Sequence, residues 1–343
     1  MFQKLRAFAD LGRTQGITTT ASVVIVGALT STAAVEWYHI LYFTVLSIFA
    51  HMALNTHIAL GDVKLDSQSY VPSKNPILNG IITKNEAKNF FYAGTLSCII
   101  LTFIPFFLYY DIYAIIFMFL CFIPSYGSLI WYGWKGKKYV LSYDFSFCIS
   151  YSFFVLFGVF AVNGLPTVYT WIFIGIVIFA ATAFAQWENG LKDVDADRSD
   201  GVRSLAVLTS VKNNEKLHLK HPYFIYGCIL KIGFLIFCFI AYLNFNNEYS
   251  LYYLLFILFF GIPSQAFILY RFLVKSKQTD HRKTILFDVP FSGILGYSII
   301  IGYKGIIPFL LLILYLIIGY IIGSTFQYNA EFKFSRFSKH KNL

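Results

Sequence analysis

The sequence predicts an all-α, multi-pass transmembrane helical bundle, and three observations carry that expectation. The chain has 343 residues and is 57% hydrophobic, with a mean hydropathy of +0.64. It holds a series of apolar stretches long enough, or nearly so, to cross a bilayer core that needs about 20 residues per helix. Once those stretches are threaded through a membrane, nearly all Lys and Arg residues fall on one side.

The stretches lie at roughly 17–36, 38–60, 89–110, 112–132, 143–163, 167–187, 222–244, 249–273, 286–302 and 304–326, each bounded by polar or turn-forming residues. Threading them puts Lys4, Arg6 and Arg13 on the same side as Lys64, Lys74, Lys84 and Lys88 of the next return loop. The same side receives Lys135, Lys137 and Lys138, then Lys192, Arg198, Arg203, Lys212, Lys216 and Lys220. Arg271, Lys275, Lys277, Arg282 and Lys283 follow, and Lys333, Arg336, Lys339 and Lys341 close the list. Only Lys231, inside a stretch, and Lys304, in a short opposite turn, are left out. The positive-inside rule makes the crowded side cytoplasmic, with both termini there, in a multi-pass protein of the cell membrane. The net charge of +10 then reflects orientation and attraction to anionic head groups of membrane lipid, not a nucleic-acid partner.

The opposite-side connections are a few residues long, whereas the cytoplasmic loops at 61–88 and 188–221 are much longer. Long loops in a compact fold usually carry function. Residues 21–36 mimic the apolar core of a leader, but the charges before them and the return at Trp37 fit a retained first helix. The five cysteines fall inside the stretches and read as small core residues.

Two acidic motifs stand at the cytoplasmic edge. The first is Asp62-Val-Lys-Leu-Asp66, at the end of the second stretch. The second runs from Asn189 through Asp193 and Asp197 to Gly201 and Arg203, directly after the sixth. The i, i+4 spacing puts each set on one helical face. A lone DxxxD reads as a solvated acidic loop. Two of them, entering from one side on two helices, form an oxygen-rich site suited to Mg²⁺, which takes one or two carboxylates plus phosphate oxygens. His51 and Asn55 extend the first motif's stripe into the membrane, either facing a cavity or bonding a neighbouring helix. Asp144 either orients a substrate or pairs with Lys137 at the interface. Lys231 lies about ten positions into the seventh stretch. There a charge costs roughly 2.5–3.5 kcal/mol on insertion scales, so it faces a cavity or marks a later helix start.

These residues resemble the UbiA-type intramembrane prenyltransferases. That family carries NDxxDxxxD after its second helix and NxxxDxxxDxxxGxRTL after its sixth. Residues 189–207 match the second motif, with Ser204 where Thr is usual. Residues 74–87 match the family's RPxxSGxIxxxEA stretch, with Asn75 in place of Arg, and Lys74 beside it. Residues 131–138 resemble its Tyr and Lys/Arg loop. Two departures stand out. Ile58 and Ala59 occupy the Asn-Asp pair that opens the first motif, leaving Asn55 one turn deeper as a substitute, and a stretch follows the nine-helix core.

The resemblance implies a nine-helix UbiA-like core with one extra C-terminal helix, around a central cavity opening to the cytoplasm. It divides the chain into a membrane domain over 1–302, an added helix over 303–330 and a basic tail over 331–343. It implies Mg²⁺-dependent transfer of a prenyl group from an allylic polyprenyl diphosphate donor to a hydrophobic or aromatic lipid-precursor acceptor, with release of diphosphate. Asp62, Asp66, Asp193 and Asp197 would be the metal ligands and catalytic carboxylates. Asn55, Lys74, Tyr132, Lys135, Lys137, Asn189, Lys192, Arg198 and Arg203 would bind substrate. The same motifs serve a membrane terpene cyclase, which needs no acceptor, and an inactive transporter or scaffold is the non-catalytic reading. A CDP-alcohol phosphotransferase would need DGxxAR, which is absent.

Overall fold

The computed structural model describes residues 2–66, 75–109, 111–136, 139–140, 142–188, 204–213, 216–219, 221–274 and 278–327, with Gly190, Leu191, Val194 and Arg198 between them. A short helix α1 (Phe2–Leu11) leads to α2 (Ile17–Leu29) and the long α3 (Trp37–Asp66). Next come α4 (Lys84–Thr102), α5 (Ile104–Tyr109), α6 (Ile112–Trp134), α7 (Ser142–Ala161) and α8 (Val168–Thr182), which passes into a π-helical turn at Ala183–Glu188. After α9 (Leu205–Thr209) a two-stranded antiparallel hairpin pairs β1 (Ser210–Asn213) with β2 (Lys216–Leu219). The chain ends with α10 (His221–Asn244), α11 (Ser250–Phe256), α12 (Ile262–Val274), α13 (Gln278–Tyr297), α14 (Ile299–Lys304) and α15 (Ile306–Phe326).

All ten apolar stretches are helical, but not all as single rods. Six segments are long and apolar enough to cross a bilayer among the described residues: Trp37–Val63, Ile112–Trp134, Asp144–Ala161, His221–Asn244, Ser250–Val274 and Ile306–Phe326. Thr14–Leu29 and Val168–Thr182 are apolar but shorter. The first helix stops at Leu29, short of the expected 36, because Thr30 and Ser31 turn their hydroxyls back onto Gly27 and Ala28. The eighth stretch passes through a π turn at Ile257–Gly261 just before Pro263, whose nitrogen has no proton to donate to the ladder. The ninth begins earlier than expected, at Gln278, and breaks at Ser298.

Apolar interhelical packing adds little where lipid tails compete, so close approach matters more. Gly27 of α2 lies on the backbone of Val155, and Gly158 of α7 lies on the backbone of Val24. This reciprocal contact leaves no room for a side chain on either helix. Around it sits the main core, including Val24, Phe43, Leu46, Phe157, Phe173, Phe234 and Ile300. The outer faces carry exposed Ile, Leu and Phe, as on α15 at Ile307, Leu310, Leu314 and Ile321, where lipid is the solvent. Helix α15 is docked on the N-terminal side of the bundle. Thr14 donates to the carbonyl of Gly323 at 2.7 Å, and the Thr44 and Tyr315 hydroxyls are 2.9 Å apart. Helix α1, unforeseen in the sequence, buries Ala7 and Leu11 against Val63, Ile77, Ile82 and Ala87.

Candidate active site

The last turns of α3 and α6 meet through two glycines: Gly61 abuts the carbonyl of Gly133, and Gly133 abuts the His57 ring. The His57 Nε2 donates to the Ile130 carbonyl at 3.0 Å. This contact brings together two sets of residues singled out in the sequence. Asp62 stands half-buried on the last turn of α3, and Tyr132 and Lys135 close α6. Tyr132 stands edge-on to Phe147 of α7, centroids 6.1 Å apart. Lys135 is exposed, with its Nζ 4.3 Å from the Trp134 ring centroid.

The positions that break the family pattern serve packing. Ile58 lies against Gly133. The carbonyl of Ala59 accepts a hydrogen bond from the Asn75 side chain at 3.3 Å, and Asn75 Oδ1 receives the Ile77 amide at 3.1 Å. Buried Asn75 thus ties the following loop to α3. That loop and the end of α3 line an open hollow of about 610 Å³ at Val63, Ile77 and Thr83. It ends in a capping box: Thr83 receives the Glu86 amide at 3.1 Å, and Glu86 receives the Thr83 amide at 2.8 Å. Lys4 of α1 bonds Glu86 at 2.6 Å, and this lysine with the Thr83 donors lowers the Glu86 carboxyl to about 2.

Asn55 spends its amide nitrogen on the His51 carbonyl of its own helix at 2.8 Å. His51 takes the interhelical role. Its Nε2 donates to the Arg13 carbonyl at 3.0 Å, so its Nδ1 accepts from the Thr20 hydroxyl at 2.8 Å.

The π turn after α8 leads into the second motif. Trp187 is fully buried there, tilted against Phe272 with ring centroids 4.3 Å apart and seated on Gly227, while its carbonyl accepts the Tyr223 hydroxyl at 2.6 Å. Leu191 and Val194 are fully buried in the same cluster. Arg198 is exposed. Asn189, Lys192, Asp193, Asp197 and Arg203 lie outside the described residues, as do Lys74, Lys137 and the side chain of Asp66. Among the described residues no three His, Cys, Asp or Glu side chains gather as a metal site.

Two intramembrane polar sites complete the picture. Asp144, at the start of α7, is buried and accepts the Tyr226 hydroxyl of α10 on Oδ2 at 3.1 Å. Lys231 corrects both sequence readings. Its helix starts at His221, so the start is not late, and the side chain faces a protein partner rather than a cavity. It is 2% exposed and forms an ion pair with Asp288 of α13. Ser292 donates to Asp288 Oδ1 at 2.9 Å, and Gln265 of α12 donates to Ser292 at 3.3 Å. Lys231 also stands 6.0 Å from the Trp187 ring centroid. Sequence reasoning missed Asp288. The available signal was that an acidic residue in the ninth stretch and a lysine in the seventh both need a partner in lipid.

Comparison with known proteins places the fold. No curated protein sequence matches the chain. Among solved structures, a digeranylgeranylglyceryl phosphate synthase is 20% identical, with a TM-score of 0.60 over 87% of this chain and 98% of that one. A UbiA homologue from Aeropyrum pernix K1, solved without ligand, is 15% identical, with a TM-score of 0.64 over 84% and 98%. A UbiA homologue from Archaeoglobus fulgidus bound to GPP and Mg²⁺ is 13% identical, with a TM-score of 0.60 over 86% and 99%. The model of the UbiA prenyltransferase family matches residues 18–287, a span that takes in both acidic motifs. The chain belongs to the UbiA prenyltransferase family and is a multi-pass membrane prenyltransferase.

Proposed function

We propose that the protein transfers a prenyl group from an allylic polyprenyl diphosphate to an aromatic or other lipid-precursor acceptor at the cytoplasmic face. The family match across both acidic motifs is the observation that carries this reading. The A. fulgidus homologue bound to GPP and Mg²⁺ supports the donor and the metal.

The residues present fit Mg²⁺. Carboxylate oxygens are its preferred donors, and Asp62 sits at a helix end beside the Tyr132 and Lys135 segment. With Ile58 and Ala59 turned to packing, Asp62 and Asp66 remain to hold the metal on the first motif, and Asp193 and Asp197 on the second. When bound, Mg²⁺ supplies Lewis-acid stabilisation of the leaving diphosphate. Lys74, Lys135, Lys137, Lys192, Arg198 and Arg203 would neutralise charge growing on that group, with Asn189 at the head of the second motif. The bilayer excludes water from the allylic cation. Tyr132, on the last turn of α6 and edge-on to Phe147, would face the allylic cation, and Asn55 continues the polar face inward. Both termini lie on the cytoplasmic side in this reading.

The altered first motif favours one second reading, a cyclase that closes the prenyl chain on itself. The deciding experiment follows Mg²⁺-dependent diphosphate release from geranylgeranyl diphosphate with and without pooled acceptors, beside Asp193→Ala. Acceptor-dependent release that vanishes in the variant supports transfer. Acceptor-independent release with a cyclic hydrocarbon product supports the cyclase. Mg²⁺-independent release, or none, refutes both.

A further inference from the structure

The start of α7 carries an incomplete polar site. Asp144 is 8% exposed, and its Oδ2 accepts the Tyr226 hydroxyl, yet its Oδ1 is buried with no hydrogen-bond partner. Buried polar atoms are almost always satisfied, and an unmade bond to a carboxylate in lipid is costly. Besides Tyr226, aromatic rings stand one turn further along the same helix. Phe147 lies one turn along α7, between Tyr132 at 6.1 Å and Tyr151 at 5.8 Å. The site also neighbours α6, which carries the Tyr132 and Lys135 segment, and the end of α8, which leads into the second motif. Ser128 of α6 bonds the Ser146 carbonyl at 3.0 Å, and Cys148 contacts Thr182, the last residue before the π turn, at 2.9 Å.

We propose that Asp144 Oδ1 receives the hydroxyl of the prenyl acceptor and takes its proton, and that the acceptor is an uncharged phenol. This inference rests on the transferase reading above. A carboxylate oxygen with open lone pairs favours a hydrogen-bond donor and repels an anion, and the flanking rings suit a flat aromatic. The step balances. The ring carbon beside the hydroxyl bonds to the first carbon of the prenyl chain while the allylic C–O bond breaks and its electron pair leaves with the diphosphate. The hydroxyl proton passes to Asp144. The resulting dienone loses its ring proton to solvent, and its oxygen recovers the proton from Asp144. Tyr226 is a positioning residue that holds Oδ2.

The test uses the full-length protein with Mg²⁺, geranylgeranyl diphosphate and two probes, hydroquinone and the anionic 4-hydroxybenzoate. Binding of geranylgeranyl thiolodiphosphate is followed separately by calorimetry. Wild type is expected to prefer hydroquinone. Asp144→Asn, which keeps size and shape, is expected to lose about 100-fold in kcat, the range of a general base. Its donor KM and analogue affinity should stay within about threefold of wild type, the signature of a group acting after binding. Asp144→Glu should restore part of the rate. Wild-type activity in Asp144→Asn, loss of analogue binding alongside turnover, or preference for 4-hydroxybenzoate would each overturn the inference. So would a wild type that binds the analogue but prenylates neither probe. A wild type that does not bind the analogue refutes the transferase reading itself.

Discussion

Lys231 and Asp144 are both ionisable, both buried and both on helices within the bilayer, yet the bundle surrounds them differently. Lys231 has an opposite charge in Asp288, and the network runs on through Ser292 to Gln265 across three helices. Asp144 has one tyrosine hydroxyl and an oxygen left over. The first arrangement holds its charges with protein groups, as a structural joint does. The second leaves room for a group the protein does not supply. The difference teaches that intramembrane charge alone does not mark a site. A buried carboxylate whose own partner set stops short is the feature that sets Asp144 apart.

The largest expected effect comes from breaking the joint. Lys231→Met leaves Asp288 buried without its cation, and losing one partner of a buried pair costs about 3–5 kcal/mol. Unfolding of the detergent-solubilised variant should show this as a large fall in midpoint. Lys231→Met with Asp288→Leu should recover most of it, since apolar replacement of a whole pair is often neutral. Failure of the double variant to recover would assign the pair a role beyond joining α10 to α13. Because Lys231 also stands against Trp187, just ahead of the second motif, Mg²⁺ affinity should be followed in the same variants.

Much of the bundle was legible because lipid imposes a simple rule on composition: each of the ten apolar stretches is helical. Their interruptions were less legible. Pro263 announces a missing donor, but the π turn at Ala183–Glu188 contains no proline or glycine and is held by tertiary contacts of Trp187. The acidic motifs were visible because i, i+4 spacing is a local property of sequence. The Lys231–Asp288 pair was not, because its members are 57 residues apart and only packing decides which face of α13 meets α10. Asp144 was visible as a charge at a helix start, while its tyrosine partner, 82 residues on, was not.

A smaller effect probes the edge of the joint. Gln265 donates to Ser292 and Ser264, but its Oε1 is buried without a partner. Gln265→Met removes both features, so the lost bonds are partly offset by relief of the orphan oxygen. The expected cost is about 1 kcal/mol in an unfolding titration. A loss as large as that of Lys231→Met would mean that the network acts as one unit and would blur the contrast with Asp144.

The contrast is sharpest for Asp144→Asn. If Oδ1 has no protein partner to lose, the substitution should change stability by less than about 1 kcal/mol, while the turnover of the enzyme falls. A stability loss comparable with that of Lys231→Met would make Asp144 a second joint and end the comparison.

The smallest effect concerns a pair outside the membrane. Lys4 and Glu86 are both exposed, and their contact adds to the packing of α1 on the loop after α3. The Glu86 carboxyl is lowered to about 2 in the folded protein, so its contribution is present above the ordinary carboxylate range and lost as pH falls through about 2. Exposure keeps that contribution small. At neutral pH, Lys4→Ala should therefore sit slightly below wild type in thermal midpoint, and the gap should close in acid as Glu86 takes up a proton. A gap that persists unchanged at the acid end would assign the effect to the stem of Lys4 covering apolar surface rather than to its charge. Lys4 would then resemble the other interfacial side chains of α1, and of the two described ion pairs only the one within the bilayer would draw on its charge.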